Sequence, residues 1–422
     1  MNKTARFASV PALLVLGAAL STAQAQGNKT IVYLTPQLED QGYTKTLLDL
    51  SQAYSKTRPG VRVQYQNAPQ TDLSQRLQLL AASGNLPALF AIDQPTLLAQ
   101  LQGRGQVADL EATFKRLGIY NQLNPAAVTL QKKLNGGKLV ALPLEMNIEG
   151  FWYNKQLFAQ NGVREPRTWD DLVKAADTFQ KKGIQPFAAS GEQKWPLTRL
   201  IGGYVARKYG ADAMDRVKAG TLKVTDPGFV EAVTAVQDLG KKGYFGRGVS
   251  TIDYDTAMNT FLGGKAAMFY MGSWALGNFN DRAQNKIGAA NIGFFNFPTV
   301  KGGKGTLSDW SINTGLGASL NAKGYDAGAS DWVRYVFSNY GDRALSEQGL
   351  ITGFKATKTP ANLPALTRLV QQKLTGARNG YLWFEGYFSP KATSVATDNV
   401  QPLVTGDLSP QDYLQQLQAA LR

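Results

Sequence analysis

Carboxylates, tyrosines and tryptophans are what this chain offers for chemistry, because its 422 residues include no histidine and no cysteine. Ser-His-Asp and Cys-His catalysis are excluded. So are the usual ligands of zinc, haem and iron–sulfur centres. Carboxylate, Tyr, Lys, Arg or Ser chemistry remains, or binding without chemistry. Paired carboxylates suffice for glycoside hydrolysis, yet no acidic pair here has recognisable spacing. No Gly-Lys pair is followed by Ser or Thr, so a Walker A loop is missing. Gly315-x-Gly317-x-x-Leu320 lacks the third glycine of a dinucleotide fingerprint. No Gly-x-Ser-x-Gly elbow occurs, and Asp253-Tyr254-Asp255 lacks calcium-loop spacing. Among single residues, Trp274 follows an apolar strand through Gly272-Ser273, a loop position suited to ligand contact. Asp93 stands at the C-terminal edge of Leu89–Ile92, as a ligand contact, a helix N-cap or both. Trp195 and Trp310, the latter flanked by Ser308-Asp309 and Ser311, are further candidates. Trp152 lies in a strand and Trp169 on an apolar helix face, so both read as core.

The elements that must position these residues alternate. Ile31–Leu34 is a buried strand; Leu47, Leu48, Leu50 and Tyr54 mark a helix ending at Arg58-Pro59-Gly60. Val61, Val63 and Tyr65 alternate as a strand. Leu73, Leu77, Leu80 and Ala81 give a helix with Gly84 past its end. A second unit begins near residue 148 with the strand Phe151-Trp152-Tyr153. Thr168 and Asp171 then form a capping box for a helix ending at Gly183, and Asp226-Pro227 starts another. Strand–helix alternation argues an α/β fold with mainly parallel sheets flanked by helices. Nothing between the two units reads as a linker.

Lys3, Arg6, the apolar run Val10–Leu20 and Ala23-Gln24-Ala25 have the order of a secretory signal peptide. Residues 1–25 are therefore expected to be removed, leaving a soluble periplasmic or extracellular chain. No cysteine follows the cleavage site, so no lipid anchor of that kind is expected. The net charge of +14 comes from basic residues scattered along the chain. Runs end at pairs such as Lys132-Lys133, which argues against nucleic acid.

Two segments carry a resemblance. The first is Leu142-Pro143-Leu144-Glu145-Met146-Asn147, then Phe151-Trp152-Tyr153-Asn154-Lys155-Gln156-Leu157-Phe158, then Thr168-Trp169-Asp170-Asp171-Leu172. The second is Phe261-Leu262-Gly263-Gly264-Lys265-Ala266-Ala267-Met268, leading to Gly272-Ser273-Trp274. In this order they resemble the extracellular solute-binding proteins of ABC importers, of the maltose-binding-protein-like sugar-binding family. The resemblance implies a two-lobed periplasmic-binding-protein fold with a multi-strand hinge. It implies crossings near Leu144–Asn147, Phe294–Pro298 and Asn339–Leu345. The lobes would then be residues 26–145 with 297–340, and 146–296 with 341–422. It also implies a monomeric receptor, not an enzyme, without cofactor or metal, that delivers a carbohydrate to permease subunits by hinge closure. Sugar rings present apolar C–H faces to aromatic planes and hydroxyls to carboxylates and amides. Carried over by position, Trp274 stacks on the sugar and Asp93 is a cleft acid. Glu39 and Asp40 form a polar ligand loop, and Asn147, with Glu145 as substitute, supplies a polar contact. Trp383, Phe384, Glu385 and Tyr387 surround the C-terminal stacking position. A receptor for a sugar phosphate or other polar solute is the alternative, followed by an exported carbohydrate-active hydrolase or lyase.

Overall fold

Ten strands pair into two sheets in the computed structural model, which describes residues 29–92 and 94–422. The strands are β1 (Lys29–Thr35), β2 (Val61–Asn67), β3 (Leu89–Ile92), β4 (Asn147–Asn154) and β5 (Gln185–Ala188). They continue with β6 (Ala266–Gly272), β7 (Ile292–Phe295), β8 (Asp309–Asn313), β9 (Gly317–Leu320) and β10 (Asn379–Tyr381). The smaller sheet has the order β2-β1-β3-β9 and the larger β10-β8-β4-β6-β5, with β7 also on β4. Asp93 and the expected signal peptide, residues 1–25, lie outside the described residues.

Period-two burial explains both sheets. In β1, Ile31 and Tyr33 enter one layer with Trp332 and Phe337, while Leu34 enters the other with Leu73, Leu77 and Leu97. In β4, Phe151 faces Leu172, Phe179 and Phe229, while Ile148 and Trp152 face Phe261 and Phe294. Each sheet is thus covered by helices on both faces. The two-lobed α/β architecture follows, with two cores in each lobe. The Thr168–Asp171 capping box forms as expected at the helix Trp169–Lys181. Asp226 departs from expectation: its carboxylate accepts from the Lys223 N–H (3.0 Å) rather than capping the helix Pro227–Lys241.

Three segments cross between the sheets, and two of them lie away from the expected positions. The first runs through Leu144–Asn147 into β4. The second is not at Phe294–Pro298. There β7 pairs antiparallel with β4, and Phe297 is buried in the larger core. Eight residues of β4 leave room on the same edge for β8, at Asn147–Glu149, so the chain crosses only between Asn313 and Gly317. The third is not at Asn339–Leu345. The helix Ala327–Arg343 continues there, with Tyr340, Ala344 and Leu350 in the smaller core. The chain turns at Gly349 (φ 64°) and runs back beside the first crossing. The Met146 N–H donates to the Ile351 carbonyl (2.8 Å) and the Gly353 N–H to Pro143 (3.0 Å). Residues 297–313 therefore go with the larger sheet, and 341–350 with the smaller, against the expected lobe boundaries.

Candidate functional site

Strand direction gathers the site. β5, β6, β8 and β10 run one way and β4 the other. The carboxyl ends of those four strands and the start of β4 therefore share one edge, beside the crossings. In the smaller sheet β1, β2 and β3 are parallel, and Ile92 at the end of β3 pairs with Gly317, where the second crossing arrives. Both sheets thus turn their carboxyl edges toward the crossings, the place where open α/β sheets hold ligands.

At the floor, Glu145, Asn147, Glu149 and Asn313 are buried. The Asn147 side-chain amide donates to Glu145 Oε2 (3.2 Å) and accepts from the Ser273 hydroxyl (3.0 Å). Asn313 donates to Glu149 Oε1 (2.8 Å) and accepts from the Gly315 N–H (2.9 Å). Burial pushes the Glu145 carboxyl up to about 7, and the Asn147 amide only partly offsets it. Its Oε1 has no hydrogen-bond partner among the described residues. Burial also raises Glu149, against the pull of Arg199.

Above the floor stands an aromatic group. Trp195 opens the helix Trp195–Tyr209, which follows β5 through Gly191, held by its N–H to the Val249 carbonyl (3.1 Å). Lys194 just before it has φ 64°, the one non-glycine at positive φ among the described residues. Such strain persists only where the surroundings impose it. The Trp274 ring meets Trp195 edge-on at 5.8 Å, and its Nε1 donates to the Tyr254 hydroxyl (3.2 Å). It lies back over Gly272, where any Cβ would fall inside the ring. Tyr254 begins a helix capped by Asp253, which accepts from the Thr256 N–H (2.7 Å). The Arg199 guanidinium, one turn on from Trp195, sits 5.2 Å from that ring and 5.1 Å from the Trp383 ring. Its Nε lies 3.2 Å from Glu149 Oε2 and its Nη1 3.1 Å from Glu385 Oε1.

Of the residues singled out from sequence, Trp274, Trp195, Trp383, Glu385, Glu145 and Asn147 come together at this edge. Glu39 and Asp40 are exposed in the loop after β1. Phe384 is fully buried in the larger core, between Trp383 and Glu385 in sequence. Trp310 is 4% exposed and stacks on Phe294 (5.5 Å), which itself stacks on Trp152, so its ring is committed to the core. Tyr387 packs half-buried beneath the Lys218 ammonium (4.9 Å) rather than joining Trp383. Arg199, Tyr254, Glu149 and Asn313 were not singled out from sequence. Arg199 was within reach of it, standing four residues after Trp195 on one helix face. Among the described residues no group of three or more acidic side chains could hold a metal. No helix among them is long and apolar enough to cross a membrane.

The family of bacterial extracellular solute-binding proteins matches residues 36–342. A protein of Streptococcus mutans named as a multiple sugar-binding protein is 25% identical over 93% of both chains. A solved chitin oligosaccharide binding protein superposes with a TM-score of 0.83 at 24% identity, over 93% of this chain and 98% of that one. A solved structure described with raffinose bound superposes with a TM-score of 0.74 at 21% identity, over 93% and 98%.

Proposed function

This chain belongs to the family of bacterial extracellular solute-binding proteins, and from that premise we propose that it captures a carbohydrate between its lobes. The cargo passes to the permease subunits of an ABC importer, and the protein leaves the sugar unchanged. One observation carries the reading: three indoles, Trp195, Trp274 and Trp383, stand at the carboxyl edge of the larger sheet, above a buried amide–carboxylate floor at the crossings. Indole planes match the C–H faces of sugar rings, and the free Glu145 oxygen matches a hydroxyl donor. Ligand that touches both lobes only when they approach stabilises the closed arrangement, and the permease reads that state. Asp93, Glu39 and Asp40 would meet the sugar from the smaller lobe. Residues 1–25 act as the export leader, and the monomeric mature chain begins near Gln26.

A thermal-shift panel of neutral mono-, di- and oligosaccharides, polyols and sugar phosphates tests this, with product analysis alongside. The expected result is a higher melting temperature with a neutral sugar that is recovered intact. Stabilisation by phosphates alone would assign a sugar-phosphate receptor. Turnover would assign a hydrolase or lyase. No response to any sugar would overturn the carbohydrate reading.

A further inference from the structure

Arg199 is the fixed cation nearest the aromatic group, and the question is whether it meets an anionic ligand. Its surroundings say otherwise. The side chain is 13% exposed and lies between two carboxylates that are 1% and 7% exposed. Both carboxylates are themselves anchored. Glu149 accepts from Asn313 at the second crossing, and Glu385 Oε2 accepts from the Thr198 hydroxyl (3.0 Å). Two acids around one guanidinium leave no net positive charge to attract an anion. The same guanidinium is close to two indole rings from separate segments, Trp195 on the helix and Trp383 after β10. A planar cation can be hydrogen-bonded at its edge while two flat faces remain for aromatic rings; a tetrahedral ammonium has no such flat faces and no fixed fork.

We infer that Arg199 is a positioning residue: clasped by Glu149 and Glu385, it fixes the Trp195 and Trp383 indoles relative to each other and to the crossing, and does not read ligand charge. The inference rests on the carbohydrate reading only for its effect on binding. Its effect on the indoles is independent of any ligand.

Arg199→Lys keeps the charge and removes the planar fork. Arg199→Met paired with Glu385→Gln removes the cation without stranding a second acid. For the ligand-free proteins, near-ultraviolet circular dichroism and acrylamide quenching of tryptophan fluorescence are compared with wild type. The comparison is repeated in a Trp383→Phe background. The expected result is altered indole dichroism and stronger quenching in both Arg199 variants, with the difference shrinking once Trp383 is gone. Unaltered spectra in both variants, with retained folding by far-ultraviolet dichroism, would overturn the inference. Binding is then measured with maltotriose, raffinose, chitotriose and glucose 6-phosphate. For a neutral probe that binds wild type, Arg199→Lys is expected to weaken affinity about tenfold, on the scale of a buried cation–π contact. Weakening confined to glucose 6-phosphate would assign direct anion recognition and overturn the inference. If Trp195→Ala and Trp383→Ala leave neutral-sugar affinity unchanged, the site assignment fails while the spectral result still judges Arg199.

Discussion

Glu145 is where single-residue chemistry reaches furthest. Its carboxyl titrates near 7 in the folded protein against an ordinary 4.5. Below pH 4.5 both folded and unfolded chains carry the proton. Between 4.5 and 7 the unfolded chain releases it first, so folding stability falls as pH rises, by about 3 kcal/mol in all. Glu145→Gln is expected to remove that portion, so melting curves at pH 5 and pH 8 should converge in the variant relative to wild type. A sugar hydroxyl donated to Oε1 would favour the ionised form. Binding near pH 7 should then release protons, measurable as a buffer-dependent heat in titration calorimetry. Trp274→Ala is expected to cost about 2 kcal/mol of binding, roughly thirtyfold in affinity, with little loss of stability. Trp169→Ala should do the reverse, losing about 3–5 kcal/mol of stability, because its ring stacks on Phe297 within the core. An equal loss of stability in both variants would argue against the distinction. Candidates at this scale were legible where a local signal existed, as Gly272-Ser273 before Trp274, which the structure places beside Trp195. Trp310 did not, because polar neighbours on an alternating strand say nothing of which face the ring takes. Glu149 and Asn313 gave no signal, for their meaning lies in a pairing between strands far apart in sequence.

Individual strands and helices were easier to read than their connections. Alternating burial and capping chemistry are local, so β1, β2, β3, β4 and the Trp169–Lys181 helix could be read directly. The second crossing could not, because it depends on how many partners one edge of β4 accommodates. Two substitutions probe what the elements contribute. Thr168→Ala should remove the capping box and cost about 1 kcal/mol, seen as a lower denaturation midpoint without a change in ligand affinity. Gly272→Ala should act oppositely. Its Cβ would fall inside the Trp274 ring, so the indole must leave its place, and affinity should drop by at least as much as in Trp274→Ala. Unaltered affinity in Gly272→Ala would mean that the ring position seen here does not govern binding.

Away from the crossings the two lobes share a polar tie, where Lys133 pairs with Asp215 at 2.8 Å. Both partners are substantially exposed, so the tie is weak and sensitive to salt. Rotation about three short crossings predicts that a stabilising sugar compacts the molecule without altering secondary structure. Small-angle scattering should show a smaller radius of gyration at saturation beside an unchanged far-ultraviolet spectrum, and an unchanged radius would count against closure. The interlaced path of the chain also imposes an order in time. The smaller sheet receives its fourth strand only at Gly317–Leu320, and its core closes only with Trp332, Phe337 and Tyr340. A nascent chain stopped at residue 300 would hold β1, β2 and β3 without the β9 partner of β3 and with the core around Ile31 and Tyr33 closed only by earlier helices such as Gly42–Thr57. Leu89 waits for Leu320 and Ile31 for Trp332, separations along the chain that slow folding. Completion of the smaller lobe is therefore expected to wait until most of the chain has been made.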